Sequence, residues 1–303
     1  MPIVNVADIS KSFGTTKAVD HLSFEVHPGE IFGLLGPNGA GKTTTIRMIL
    51  DIFEPDSGEI QVLGGAMTED KKNQIGYIPE ERGLYQDIPL ERCLTFLASL
   101  KGMPENRSKP ELEAYLKRFD LFDYRNQKVK ELSKGMQQKA QLISALVHDP
   151  QLVIIDEPFT ALDPVNTEMV KDLLVTKRDE GKAIIMSTHQ MNQVEELCDR
   201  ILLIDHGHRV LYGTLQEIQK QFASRDILVT PIDPLPESIE GVSEVKKLNG
   251  RYRLILEDQA QPNQILKYLI NSGCELTEFE IAVPPLNEIF IQVVQTKEGE
   301  GHG

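Results

Sequence analysis

Apolar and polar positions near the start of the chain fall into partial alternation. Val4, Val6 and Ile9 are followed by Leu22, Phe24 and Val26, with Gly14-Thr15-Thr16 between them. A period of two marks strands with one buried face, so residues 2–35 are expected to form strands, the first two joined by a turn into an antiparallel edge sheet. Ile31-Phe32-Gly33-Leu34-Leu35 departs from the alternation as a short continuous apolar run, which suits a parallel strand buried on both faces. Ile46, Ile49 and Leu50 then recur at helical spacing. Strands are expected again at residues 59–63 and 74–78, on either side of Gly64-Gly65.

From about residue 88 to 148 the period becomes helical, through Leu94, Leu97 and Ala98 and then Leu112, Tyr115, Leu116 and Phe119. This segment is expected to be a helical insertion in an α/β chain. Strand and helix then alternate: a strand over Leu152–Ile155, a helix from Val165 to about Glu180 stopped by Gly181, and a strand from Ala183 to Met186. Strands near 201–205 and 209–212 close the unit.

Around Phe222 to Asp226 the pattern changes, which places a domain boundary there: residues 1–222, then a small α+β domain over 223–303. In the latter, Asn249-Gly250 is a two-residue hairpin turn joining strands at 242–248 and 252–256. Pro262 and Pro285 open helices, and Leu286, Ile289, Phe290, Val293 and Val294 form one apolar stripe in the second. Such a stripe packs on its own sheet or seals a subunit interface. The polar end, 296–303, is expected to fray.

The chemistry centres on Gly36-Pro37-Asn38-Gly39-Ala40-Gly41-Lys42-Thr43, which fits G-x-x-x-x-G-K-[ST]. A loop that wraps a triphosphate must turn successive backbone N–H groups inward, which glycine permits. Lys42 would reach the β and γ phosphates, the Thr43 hydroxyl would ligate Mg2+, and the following helix, with Thr44 in its first turn, would add its positive dipole end. The strand ending in Asp156-Glu157 supplies the second element. Ligands of a parallel sheet lie outside the carboxyl ends of its strands, so Asp156 would fall beside Thr43 and hold the metal. Glu157 would act as the general base on the attacking water, a role worth about a hundred- to ten-thousandfold in rate. The lesser alternative for the two acids, read alone, is a solvated strand end.

Length and charge narrow the classes. With 303 residues there is room for a nucleotide-binding domain and a small appendage, and a formal net charge of −14 argues against a nucleic-acid partner. Cys93, Cys198 and Cys274 lie far apart with no C-x-x-C, so each is expected to be a small core residue. The amino terminus shows no basic region followed by an apolar stretch, so a cytoplasmic location is expected. No run approaches the roughly 18 apolar residues of a membrane span.

Two further motifs, Leu132-Ser133-Lys134-Gly135-Met136 and Ser187-Thr188-His189, occur in an order that with the others resembles ABC transporter ATP-binding subunits, over about residues 3–220. The resemblance implies a P-loop ATPase fold with a parallel-sheet core, an antiparallel β subdomain and the helical insertion. It implies that Phe13 stacks on adenine, although an aromatic at a strand end also packs structurally. His189 would contact the γ phosphate, and Ala161-Leu162-Asp163 would cross between paired subunits. Ser133 and Gly135 would grip the ATP held by the other subunit's P-loop, so that two subunits close head to tail around ATP.

Three positions depart from the commonest pattern. Lys134 stands for a glycine, Met136 for a glutamine, and Glu80 for the glutamine that usually faces the metal. The segment Pro79 to Tyr85, with the carboxyl-terminal appendage, looks like the branch that drives exporters of drugs, peptides or sodium. There a separate transmembrane permease is the partner, with the subunit peripheral on the cytoplasmic face of the cell membrane. The alternative is a soluble ABC ATPase acting on a non-transport assembly. A P-loop kinase or GTPase is disfavoured by the Ser133 loop and by the lack of Asn-Lys-x-Asp.

Overall fold

The computed structural model describes residues 1–80, 83–222, 226–236, 238–248, 250–282 and 284–300, with side chains described as far as residue 293. The chain divides into two compact units, Met1–Leu215 and Gln216–Gly303. The division falls at Leu215, upstream of the break expected near residue 222.

The first unit opens with β1 (Val4–Phe13) and β2 (Thr16–Val26), paired antiparallel through the register Val4↔Val26 and Phe13↔Thr16. Then come β3 (Ile31–Leu35), α1 (Lys42–Ile49), β4 (Ser57–Val62), the short α2 (Glu69–Lys72) and β5 (Ile75–Ile78). β4 returns to pair with β1, so the expected edge sheet has three strands in the order β2-β1-β4, and β3 belongs elsewhere. The helical insertion consists of α3 (Leu90–Leu100), α4 (Glu105–Arg118) and α5 (Lys134–Leu146), with two 3-10 turns between the last two. Pro104 precedes α4, and Pro110 lies inside it, in the second turn, where it has no N–H to give the Asn106 carbonyl oxygen. Next are β6 (Leu152–Asp156), α6 (Pro164–Asp179), β7 (Ala183–Thr188), α7 (Met191–Leu197), β8 (Arg200–Asp205) and β9 (His208–Thr214); α8 (Leu215–Phe222) follows, all but its first residue in the second unit.

Six of these strands form the central sheet, ordered β5-β6-β7-β3-β8-β9. Five run parallel and form the expected parallel core, and β9 turns back antiparallel to β8, which makes the sheet mixed at that edge. β3 and β6 are buried along their whole length, which explains their unbroken apolar runs. Phe32 stacks on Phe24 of the antiparallel sheet at 5.3 Å, joining the two sheets in one core. Cys93 and Cys198 are buried free thiols in this unit, as Cys274 is in the second.

The second unit has a four-stranded antiparallel sheet, ordered β11 (Val242–Leu248), β12 (Arg251–Leu256), β10 (Ile227–Pro231), β13 (Leu276–Ile281). With it come α9 (Pro262–Asn271) and α10 (Leu286–Glu300). Ile227, Val229, Leu254, Ile265 and Leu269 form its separate core. Gly250 takes φ +88° at the expected hairpin, where Leu248 pairs with Arg251. Asn249, the first residue of that turn, lies outside the described residues. In the apolar stripe, Leu286 and Ile289 are buried and Phe290 and Val293 half-buried. The side chain of Val294 and the tail expected to fray lie outside the described side chains. Among the described residues, no helix is long and apolar enough to cross a membrane.

One half-buried base follows from this packing. His148, just beyond α5, directs Nε2 at the Ile75 carbonyl oxygen at 3.3 Å, while its buried Nδ1 has no partner among the described residues. Burial first, then the nearby Lys101 ammonium, pulls its pKa down to about 4. The unfolded chain therefore binds a proton near pH 6.5 that the folded chain refuses until about pH 4, so stability falls as pH drops across that window. The slope is about 1.4 kcal/mol per pH unit, about 3 kcal/mol in all. His148→Gln, which keeps a donor for Ile75, is expected to flatten that part of the acid limb in denaturant titrations compared at pH 7 and pH 4.5. An unchanged limb would show that His148 is not its source.

Candidate functional site

Register places the site. Leu35 of β3 pairs with Thr188 of β7, and Asp156 of β6 pairs with Ser187 of β7, so three carboxyl ends finish level with β7 in the middle. The P-loop leaves β3, the two acids end β6, and His189 follows β7. These lie together in one cleft of about 320 Å³, lined by Asn38, Gly39, Gly41, Lys42, Thr43, Thr44, Glu80, Asp156, Glu157, His189 and Ala18. Ala18, on β2, carried no sequence signal.

Two glycines are required by geometry. Gly36 has φ +148°, and a Cβ there would lie 2.2 Å from the Ile204 carbonyl oxygen. At Gly41, φ is +109° and a Cβ would meet the Ala18 carbonyl oxygen at 2.3 Å. Gly39 is also left-handed, at φ +81°, but has open space where a Cβ would stand.

Lys42 is buried at the head of α1, and its Nζ donates to the carbonyl oxygens of Gly36 at 2.7 Å and Pro37 at 3.0 Å. The loop thus closes on its own lysine. Burial pushes the Lys42 pKa down, and the negative charges of Glu157, Asp156 and Glu80 oppose the shift without cancelling it. Thr43 Oγ1 donates to Asp156 Oδ2 at 3.1 Å, so two hard oxygens suited to Mg2+ are adjacent. Among the described residues there is no group of three or more His, Cys, Asp or Glu able to hold a metal alone. Glu80 lines the cleft without completing such a set.

Glu157 takes φ +54°, an uncommon conformation for a residue with a side chain, and its N–H donates to the Ser187 carbonyl oxygen at 3.0 Å. Its carboxylate is held at both oxygens. His189 Nδ1 donates to Oε1 at 2.7 Å, and Thr188 Oγ1 donates to Oε2 at 3.2 Å. A carboxylate can only accept, so the His189 proton sits on Nδ1. Ser187 Oγ donates to Asp156 Oδ1 in the same way. The Ser187-Thr188-His189 run is legible in the sequence, but the roles of its hydroxyls are not; their signal is two hydroxyls following an apolar strand.

Other expected residues stand apart from the cleft. Phe13, at the end of β1, is 47% exposed and packs edge-on to Phe53 at 5.5 Å. Ser133 caps α5, its Oγ accepting from the Met136 N–H at 3.2 Å, while remaining exposed. Gly135 faces the Ala161 carbonyl oxygen, 3.3 Å from where a Cβ would stand. Asp163 caps α6 by accepting from the Asn166 N–H at 2.9 Å, a bond that lowers its pKa. Pro37 contributes its carbonyl to Lys42, and Ala40 is buried beneath the loop.

With this geometry in view, the chain can be set beside known proteins. A family model described as ABC transporter matches residues 19–160, and one described as ATP-binding protein DrrA1-3-like, C-terminal domain, matches residues 213–294. An uncharacterized ABC transporter ATP-binding protein of Bacillus subtilis (strain 168), YhaQ, is 40% identical over 294 residues, 96% of this chain and 98% of the relative. Nod factor export ATP-binding protein I of Rhizobium sp. (strain N33) is 39% identical over 214 residues, 70% of each chain. A solved ATP binding subunit of an ABC transporter superposes with a TM-score of 0.69 at 33% identity, covering 73% of this chain and 93% of that one.

The glycine geometry makes a contrast that can be measured. Gly41→Ala is expected to cost at least about 2 kcal/mol, because left-handed strain adds to a backbone clash, whereas Gly39→Ala should cost about 1 kcal/mol. Denaturant titration of both variants checks this, and equal losses would contradict it.

Proposed function

The chain belongs to the ABC transporter ATP-binding proteins, and from that premise we propose that it hydrolyses ATP to power an exporter, acting in a pair on a separate transmembrane permease. The observation that carries this reading is the cleft: a buried lysine enclosed by a glycine loop, a hydroxyl beside Asp156, and Glu157 held by His189.

In this reading, the P-loop N–H groups and the amino terminus of α1 receive the triphosphate. Lys42 is already desolvated, so its charge acts on the β and γ phosphates with little screening by water. Thr43 and Asp156, with Glu80 facing them, would hold Mg2+, which when bound neutralises charge on the phosphates. Glu157 orients a water toward the γ phosphorus and takes its proton. His189 shares a hydrogen bond with Glu157 and reaches from there to the γ phosphate. Phe13, partly exposed on β1, offers a ring face for adenine.

Pairing is supported by what the cleft lacks. Ser133, Gly135 and Asp163 do not line the cleft of their own chain, and Ser133 and Asp163 keep exposed side chains at helix starts. They would complete the ATP site of a second subunit, a second copy or a close paralogue, and closure of the pair would drive the permease. The exporter direction rests on the Nod factor export relative and on the DrrA-like carboxyl-terminal match. The subunit would then sit on the cytoplasmic face of the membrane.

Glu157→Gln is expected to bind ATP, to turn over at least about a hundredfold more slowly, and to accumulate as an ATP-bound dimer on size exclusion. Retention of most of the turnover would remove Glu157 as the base. Lys42→Ala should instead weaken nucleotide binding, and unchanged affinity would remove its phosphate role. Purified from detergent-solubilised membranes of its own cells with ATP present, Glu157→Gln is expected to bring a polytopic membrane protein in near-equal amount. Soluble assemblies alone would favour the non-transport alternative.

A further inference from the structure

We propose that Thr188 is a positioning residue for hydrolysis, the fixed half of a two-point hold on Glu157 whose other half is His189. This rests on the reading of Glu157 as the base. Both holds are direct: Thr188 Oγ1 donates to Oε2 at 3.2 Å and His189 Nδ1 donates to Oε1 at 2.7 Å. They differ in surroundings. Thr188 is fully buried within β7, whereas the His189 side chain is 56% exposed in the cleft.

The single hydroxyl proton of Thr188 has little choice of direction. Its oxygen accepts the Gln190 backbone N–H at 3.1 Å, so a lone pair is occupied and the O–H is left for the carboxylate. The oxygen is itself fixed by strand pairing, since Thr188 is matched with Leu35 at the end of β3. The hold is needed because several rotatable side-chain bonds separate the Glu157 carboxylate from its backbone, which alone does not set the carboxylate's direction. With His189 Nδ1 on Oε1 from an exposed ring, the buried hydrogen bond to Oε2 keeps the carboxylate's aim from depending on the imidazole alone. Ser187 does the matching service for Asp156, so one strand end orients both acids.

The test measures steady-state ATP hydrolysis by the full chain with Mg2+ for Thr188→Val, Thr188→Ser, Thr188→Ala and, in parallel, Glu157→Gln. Thr188→Val is expected to lower kcat about tenfold with KM within about twofold, the scale of one hydrogen bond to a charged group. Thr188→Ser should restore most of the turnover. If Val disturbs folding, Ser against Ala isolates the hydroxyl, and Ala should be about tenfold slower than Ser. Turnover in Val within about twofold of the unaltered chain, or Ser no faster than Ala, would overturn the proposal. A slow Glu157→Gln beside an unaffected Thr188→Val sinks only this inference; an active Glu157→Gln sinks the reading beneath it.

Discussion

The structure turns on the parallel pairing of β3, β7 and β6. Their register brings Leu35, Thr188 and Asp156 to one edge, and every group in the cleft is attached within a few residues of those ends. A slip of one residue in β6 would turn its side chains to the opposite face and part Asp156 from Thr43. β3 and β6 are apolar on both faces, so polarity alone does not resist such a slip; the polar strand ends do, where the Glu157 N–H bonds the Ser187 carbonyl oxygen and Ser187 Oγ bonds Asp156. Packing Phe32 on Phe24 ties the same strand to the antiparallel sheet, whose β2 places Ala18 against the P-loop. The glycines at positions 36 and 41 are thus the local consequence of two sheets meeting under one loop.

Charge in the cleft follows from that geometry. Three carboxylates, Glu80, Asp156 and Glu157, share the space with one buried ammonium. Lys42 is stabilised there by carbonyl oxygens, which satisfy its donors without neutralising it. Hydroxyl donors do the same for the acids: Thr43 and Ser187 on Asp156, Thr188 on Glu157. Neutral dipoles therefore hold most of the charges in place, and net charge is left for a ligand to meet.

Legibility in the sequence tracked how local each feature was. The P-loop, the acid pair and the Ser-Thr-His run follow strands whose apolar runs announce them, so Lys42, Thr43, Asp156, Glu157 and His189 could be placed on one edge from sequence alone. Pairings between distant segments were not legible. β4 joins β1 across the whole of α1, and β9 runs antiparallel, because strand periodicity is silent about partners. Ala18 approaches the loop only through that folding. The short helices α2 and α7, of four and seven residues, carry too few turns for a period to emerge. In the second unit, β11 has apolar residues only at Val242, Val245 and Leu248 and is largely exposed, so it carried no period of two, whereas Pro262 and the hairpin Gly250 gave firm local signals.

The departures at Glu80 and Lys134 take on a physical sense only under the proposed pairing. Glu80 adds a carboxylate to a cleft whose one buried cation is Lys42. An anionic triphosphate entering that cleft meets two acids close to the metal position and a third at the base. The same chain carries Lys134 exposed at the first position of α5, next to the cap residue Ser133. There its charge adds to the positive end of the helix dipole. In a head-to-tail pair each ATP would lie between Glu80 of one subunit and Lys134 of the other, so closure would set a cation across from the added carboxylate and raise the share of binding energy that depends on the pair.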